Sequence, residues 1–396
     1  MNNKQVVNIH SFKFLTFRGK NHLIFLQILF MSFFSLFTFR DVWGANWDLL
    51  PRLATGVQYT DNLFFTFIDD EKVSDTKLVI VPAIIFRGES DRNLATVEAG
   101  VNLERYNKTK EADRNDPFLN FEWEHNWEYH TFGIGIHYWQ DSTRTSELET
   151  TGRTNIFGTR TNTSLNPQWQ STIDENDTII LGLALLDVFY DLPTLIDYQD
   201  YSFSIQWNHE LSPLNTIYLT TIGNSYNADA IGLDYNYGQI LVGLTSQRSE
   251  QLRYDMSLGM GYADRKIQAD YRTWLANISL TNEREYDETT LSFSSQLVPT
   301  GSGDLRKIYA FDFQYRRDMS LNLDFTFQTR YTDSESVNEL LQERVKYLTV
   351  RPGLTYQLDE NWFIETWYQY LINRYLTNDP IEENSFYLGI RYDIDL

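Results

Sequence analysis

In the stretch from Leu305 to Thr332, large apolar side chains alternate with small or polar ones over residues 309–316 and, after one interruption, over residues 321–328. Its apolar members before the interruption are Tyr309, Phe311, Phe313 and Tyr315, and those after it are Leu321, Leu323, Phe325 and Phe327. Because strand side chains point alternately to opposite faces, this pattern predicts two strands that each have one apolar and one polar face. The interruption, Arg317–Ser320, is the predicted turn of a hairpin.

The same hairpin pattern recurs along most of the chain after Asp48 and gives about 18 strand-like segments, each of a length that crosses an outer membrane at a tilt. A soluble sandwich would bury the apolar faces against a second sheet. A transmembrane barrel would turn them to lipid and turn the polar faces to its lumen.

The connections between the segments alternate in length, and this alternation decides between the two folds. Gly88–Asp91 is a short connection, whereas Asp61–Thr76 and Asp141–Arg160 are long and polar. Short periplasmic turns and long extracellular loops produce this alternation in outer-membrane barrels, and a sandwich has no reason to keep it. The sequence therefore predicts an all-β fold, a transmembrane antiparallel outer-membrane β-barrel of about 18 strands, with 16 as the alternative.

Composition agrees with a barrel and excludes several classes of function. Aromatic residues make up 15% of the 396 residues, which suits two aromatic girdles at the membrane interfaces. The net charge of −21 argues against nucleic acid as a partner, because phosphate binding needs clustered basic residues. The chain has no cysteine, which excludes disulfides, thiolate metal sites and thiol catalysis.

The two ends of the chain carry export and assembly signals. Residues 1–44 combine a basic region, the apolar run Leu23–Phe39 and the small residues Gly44 and Ala45, which predicts a signal peptide, with a retained membrane anchor as the alternative. Residues 45–396 are then a single barrel domain. The last segment, Ser385–Leu396, alternates up to its end, so we expect the barrel assembly machinery to recognise it, although Leu396 replaces the usual final aromatic residue.

The polar faces of the predicted strands carry charges of both signs. The candidate lumen-lining residues are Glu98, Glu122, Glu124, His137, Asp255, Asp312, Asp324, Arg330, Arg351, Glu365 and Arg391. Since rings of one sign select ions of the other, a mixed set in which acids outnumber bases predicts a weak cation preference. The alternative is that these side chains are solvated wall residues that pair across neighbouring strands.

The sequence offers no catalytic or cofactor site. Histidine is scarce, and His137 is interpreted as an ordinary lumen residue rather than a gating or ligand residue. No cluster of nucleophile, base and orienting group is recognisable, so an enzyme is not predicted, and neither a metal nor another cofactor is expected. Asp141–Arg160, the longest connection, is expected either to fold inward as a constriction or to be a mobile external loop.

The opening of the predicted barrel, Leu50–Phe64, reads LPRLATGVQYTDNLF. It resembles the start of a group of outer-membrane β-barrel porins of Gram-negative bacteria, in which the first strand ends in a Tyr-(Thr/Asp)-Asp-Asn corner. Some of these accompany exopolysaccharide or exosortase (PEP-CTERM) systems. The resemblance implies an outer-membrane barrel and carries over no catalytic residue. A turn-forming role accounts for Asp61 and Asn62.

Three functions follow as hypotheses. The first is a porin-like channel for passive passage of small hydrophilic solutes. The second is an accessory barrel for exopolysaccharide export or surface attachment, whose partner would be a polysaccharide. The third is a closed structural or adhesive barrel that acts through its loops. All three place the chain among outer-membrane lipid and lipopolysaccharide, and none determines the oligomeric state.

Overall fold

The computed structural model describes residues 46–148, 150–151, 157–229, 234–265, 270–338, 343–375 and 379–393. The predicted signal peptide, residues 1–44, lies outside these ranges, so its prediction stays open. The strands are β1 (Asn46–Thr60), β2 (Asp75–Glu89), β3 (Asn93–Tyr106), β4 (Arg114–Asn126), β5 (His130–Ser142), β6 (Thr159–Thr172), β7 (Asp177–Tyr190), β8 (Tyr198–Ser212), β9 (Asn215–Ala228), β10 (Tyr235–Gln247), β11 (Leu252–Arg265), β12 (Tyr271–Glu283), β13 (Asp287–Pro299), β14 (Leu305–Ser320), β15 (Leu323–Ser336), β16 (Arg344–Gln357), β17 (Trp362–Tyr375) and β18 (Ile381–Tyr392).

The strands form one closed antiparallel barrel. Each strand pairs with its neighbours in sequence, and β1 also pairs with β18, from Leu53 opposite Tyr392 to Thr60 opposite Ser385. Closure leaves no sheet edge in hydrocarbon, where an unpaired backbone group would cost several kcal/mol. The prediction of 18 strands is confirmed, and the alternative of 16 is wrong.

Helical structure is confined to the connections. The helix α1 (Thr143–Ser146) follows β5, and single 3₁₀ turns occupy Asp69–Glu71 and Lys110–Ala112. Among the helices in the described part of the chain, none has the length and apolarity needed to cross a membrane.

The outer face of the barrel is a belt of exposed apolar side chains. Val242 and Leu258 expose 61% and 58% of their surfaces, although they face each other in the middle of the paired strands β10 and β11. Exposed tryptophans gather near the short turns, where Trp127 and Trp169 lie 5.5 Å apart. Apolar exposure on this scale is stable only against lipid, so the belt identifies a membrane-spanning barrel.

The hairpin predicted within Leu305–Thr332 forms from β14 and β15 as expected, except at its turn. Phe313 and Phe327 pack edge to face across β14 and β15 with their ring centroids 6.0 Å apart. The predicted turn at Arg317–Ser320 is wrong, because β14 continues to Ser320 and the connection is Leu321–Asn322. A bulge between Asp318 and Ser320 carries the strand over these residues and leaves Leu321 99% exposed.

One pair of strands separates before it reaches the loop end of the barrel. The pairing of β12 with β13 runs from Glu283 opposite Glu288 only to Asn277 opposite Ser294. Along Tyr271–Ala276, which lies within the described residues, β12 has no pairing with β13. The tip of the β13–β14 hairpin is therefore free to leave the wall.

Candidate functional site

The eleven candidate lumen-lining residues all lie on the inner face of the barrel, opposite the apolar belt. Five of them have a partner of opposite charge on a neighbouring strand: Asp312 and Arg330 are 2.8 Å apart, Asp324 and Arg316 3.2 Å, and Glu365 and Arg391 3.3 Å. Their role in conduction stays a prediction. The geometry of these pairs matches the alternative interpretation, in which wall charges pair across neighbouring strands.

The remaining candidates have more varied neighbours. Glu122 lies 3.1 Å from His137, and Glu124 accepts a hydrogen bond of 2.7 Å from the amide of Asn126. The guanidinium of Arg351 lies 4.2 Å from the ring centre of Trp367, which itself stacks on Tyr387. Arginine over an aromatic face is a favourable cation–π arrangement, so the Trp367 ring stabilises the positive charge of Arg351.

A chain of ion pairs crosses the closure between β1 and β18 near the turn end of the barrel. Arg52 binds Glu98 of β3 at 3.0 Å and Asp393 at 2.9 Å. Arg391 continues the chain, 2.9 Å from Asp393 and 3.3 Å from Glu365. The network therefore alternates in sign across β3, β1, β18 and β17. Networks of this kind stabilise more than isolated surface pairs do.

The corner at the end of β1 closes the other end of the same seam. Asn62 is fully buried, and its amide donates to the carbonyl oxygens of Thr66 and Glu382 at 2.8 and 2.9 Å. The carboxylate of Asp61 accepts hydrogen bonds from the backbone and side-chain nitrogens of Asn384 at 2.8 and 2.7 Å. The structure thus gives both residues of the corner a fastening role between the first and last strands.

The loop between β5 and β6 crosses the lumen. Its described residues, 143–148, 150–151 and 157–158, reach strands far around the barrel. The carbonyl of Leu148 accepts a hydrogen bond of 3.0 Å from Asn373 of β17, and that of Thr150 accepts one of 3.1 Å from Ser334 of β15. Arg144 of α1 binds the carboxylate of Glu383. Of the two expectations for this loop, the inward fold is the one observed.

Glu147 anchors the middle of this loop inside the barrel. The side chain exposes 2% of its surface, accepts a 2.6 Å hydrogen bond from the hydroxyl of Tyr190 and lies 3.9 Å from Arg160. Burial raises the pKa of the Glu147 carboxyl, and the contacts with Tyr190 and Arg160 offset only part of that rise. The protonated form is therefore favoured by the folded loop.

The tip of the β13–β14 hairpin is the second segment that enters the lumen. Leu297 lies with Leu275 against the inner face of Gly261, where an added methyl carbon would be 3.1 Å from Leu297 Cδ1. Lys307 donates to the hydroxyl of Thr273 on the inner face of β12. The face of the hairpin that points to lipid nearer the short turns thus covers, at this end, the inner face of β11 and β12.

The hairpin and the β7–β8 loop meet on a cluster of tyrosines. The backbone nitrogen of Ile196 donates to the carbonyl of Gly301 at 2.7 Å, and the hydroxyl of Tyr226 donates to that of Thr300 at 3.2 Å. The buried aromatic members of the cluster are Tyr190, Tyr198, Tyr226, Tyr235 and Tyr237. Gly303 has φ of 73°, a left-handed conformation that glycine adopts without cost, and it completes the tight turn.

Three inward segments therefore narrow the loop end of the lumen. Tyr190 joins them, because it binds Glu147 of the first segment, packs on Gly301 of the second and precedes the third, residues 191–197. The functional residues predicted from the sequence do not include Arg52, Glu147 and Tyr190. Arg52 has the inward parity of its strand and was recognisable, whereas nothing in the local pattern marks Glu147 or Tyr190. Within the described ranges, no three acidic or histidine side chains are grouped as metal ligands.

No protein-family model and no curated protein sequence matches this chain. Solved structures do match it. Pseudomonas aeruginosa OpdO superposes with a TM-score of 0.50 at 9% identity, over 88% of this chain and 98% of OpdO. Pseudomonas aeruginosa OccK2 (OpdF) gives the same four values. At such low identity the similarity establishes fold alone: this chain has the 18-stranded barrel fold of these outer-membrane porins.

Proposed function

We propose that this protein is an outer-membrane channel through which small hydrophilic solutes pass passively. The observation that carries the proposal is the combination of a lipid-facing apolar belt with a polar lumen that inward segments narrow but whose walls bear charges of both signs. Opposite charges that pair along the wall cancel each other's field at a distance, so the channel discriminates weakly between anions and cations. The proposed role is passive passage and not catalysis.

Single-channel recording of the refolded mature chain in a planar bilayer tests this proposal. We expect steady conductance steps and, in a salt gradient, a small reversal potential of the sign that indicates cation preference. The folding of the barrel is verified by its heat-dependent mobility in electrophoresis. If the folded barrel gives no conductance steps, the channel proposal is overturned, and the structural or adhesive role through the loops remains.

The link to exopolysaccharide systems stays a hypothesis that rests on the resemblance of Leu50–Phe64. The same recording addresses it. An export or attachment role predicts that long acidic polysaccharide binds or blocks the barrel, whereas a simple diffusion channel predicts no effect of polymers too large to enter it.

A further inference from the structure

The inner wall of β8 to β12 differs from the rest of the lumen, because it presents mostly uncharged polar groups. They surround a cavity of about 470 Å³, a size typical of small-molecule sites. Its lining residues are Gln206, Asn208, Thr216, Tyr218, Thr220, Leu241, Thr245, Asp255, Ser257 and Asn277. Asp255 is the one charged member of this lining. The patch lies on the turn side of the inward segments.

Tyr218 forms a flat platform in this patch. A methyl carbon added at Gly243 would lie 2.1 Å from Cζ of the Tyr218 ring, so the ring rests directly on the backbone of β10. The side chain is half-buried and borders the cavity. One face of the ring is therefore covered by the wall, and the other is available to a solute in the lumen.

The platform is fixed by the single carboxylate. The hydroxyl of Tyr218 donates to Asp255 Oδ1 at 2.9 Å, and that of Thr245 donates to Oδ2 at 2.5 Å. Each carboxylate oxygen thus has one partner and retains capacity for a second donor. Because the carboxylate is held by two neutral hydroxyls, it remains a strong acceptor for hydroxyl groups of a ligand.

The amides and hydroxyls around the platform are already ordered by each other. Gln206 donates to Asn208 at 2.8 Å and accepts from the hydroxyl of Thr220 at 3.0 Å. Asn277 donates to the hydroxyl of Ser257 at 3.1 Å. Groups that are ordered before binding lose little conformational entropy when a ligand arrives.

We propose that this patch, whose centre is Tyr218 and Asp255, binds one ring of a neutral saccharide that enters the channel. A pyranose ring has an apolar C–H face that matches the aromatic platform, and its hydroxyls match the surrounding amides, hydroxyls and carboxylate. A charged solute would instead find its counter-charges in the paired acidic and basic residues elsewhere on the wall. This inference rests on the proposed channel function and names a class of solute for it.

Current recording with maltotriose added on the turn side of the refolded barrel tests the proposal. We expect transient, concentration-dependent blocks of the wild-type current. Tyr218→Leu removes the platform, and Gly243→Ala displaces the ring from the wall, so both should raise the half-blocking concentration about tenfold or more. Gln328→Ala, on the inner face of β15 outside the patch, is the matched control. Maltotriose should block its current at the same concentration as it blocks the wild-type current.

The outcomes separate the saccharide site from the channel itself. Normal conductance without block by maltotriose, or block by lysine or gluconate in its place, overturns the saccharide site and leaves the channel intact. If the folded barrel does not conduct, calorimetric titration of maltotriose into the detergent-solubilised protein decides instead. Binding that Tyr218→Leu abolishes supports the site, and the absence of binding overturns it.

Discussion

At the scale of single residues, the alternation of the sequence determines which side chains face the lumen, but contacts between distant strands determine what those side chains do. His137 and Glu122 face each other because their strands are adjacent in the sequence as well as in the barrel. Glu147 meets Tyr190 only because a loop folds inward. Pairing between adjacent strands can be derived from register, whereas contacts made by loops cannot.

Glu147 makes the packing of its loop sensitive to pH. Because burial raises the folded-state pKa of its carboxyl above the ordinary 4.5, the folded loop binds more protons than the released loop does. The stability that this bound proton contributes to the docked loop is fully present below pH 4.5. It is lost as the pH rises through the higher folded-state pKa. We expect a cysteine at Leu148 to react faster with a maleimide as the pH rises, beyond the increase measured for an exposed cysteine at Glu71.

Glu147→Gln keeps the acceptor for Tyr190 and removes the titrating proton. We expect the reaction of the Leu148 cysteine in this variant, normalised to the exposed site, to be independent of pH. The same normalised pH dependence with and without the carboxyl would contradict the role of Glu147.

At the scale of elements, the eighteen strands were predictable from segments that fit a membrane span and from connections that alternate between short turns and long loops. The inward displacement of the tip of the β13–β14 hairpin was not predictable. The alternation around Tyr309 and Phe311 does break at Lys307 and Ile308, but a break in the period does not show which surface the hairpin will cover. What changes there is the neighbour of the outer face, which is lipid near Phe311 and the inner face of β12 near Lys307. A single-sequence pattern records the period of a strand and not its neighbour.

Leu297 holds the hairpin in the lumen, so its truncation should loosen the constriction. It is 9% exposed, lies against Gly261 and belongs to the buried cluster of tyrosines, and Leu297→Ala should cost the docked hairpin about 2–3 kcal/mol. We expect larger or more variable open-channel conductance. Heat-dependent electrophoretic mobility should remain, since the pairing of β13 with β14 is not affected.

Leu291→Ala is the matched control for this prediction, because Leu291 lies on the same strand and points to lipid. Its conductance should equal that of wild type. Equal conductance of Leu297→Ala and the control would show that the hairpin does not limit the current.

At the scale of the whole molecule, the barrel is oriented by its unequal ends. The connection of residues 61–74 is long, whereas that of residues 284–286 is short and carries the exposed Tyr286. Because the native chain has no cysteine, single substitutions report cleanly on each end. In intact cells of a Gram-negative host, a polymer-linked maleimide should label Glu71→Cys and should label Tyr286→Cys only after the outer membrane is permeabilised. The reverse pattern would invert the assigned orientation.

The separation of β12 from β13 changes how the width of the mouth is set. In a closed ring, strand number and stagger fix the circumference. At the loop end this barrel is a scroll instead, since the outer face of one edge, at Leu297 and Lys307, overlaps the inner face of the other, at Leu275 and Thr273. A scroll changes diameter when its edges slide, without opening any pair in the rest of the wall. The aperture of this protein therefore depends on the contacts at the overlap and on those that hold the tip of the hairpin, while its membrane-spanning girth is fixed by eighteen strands.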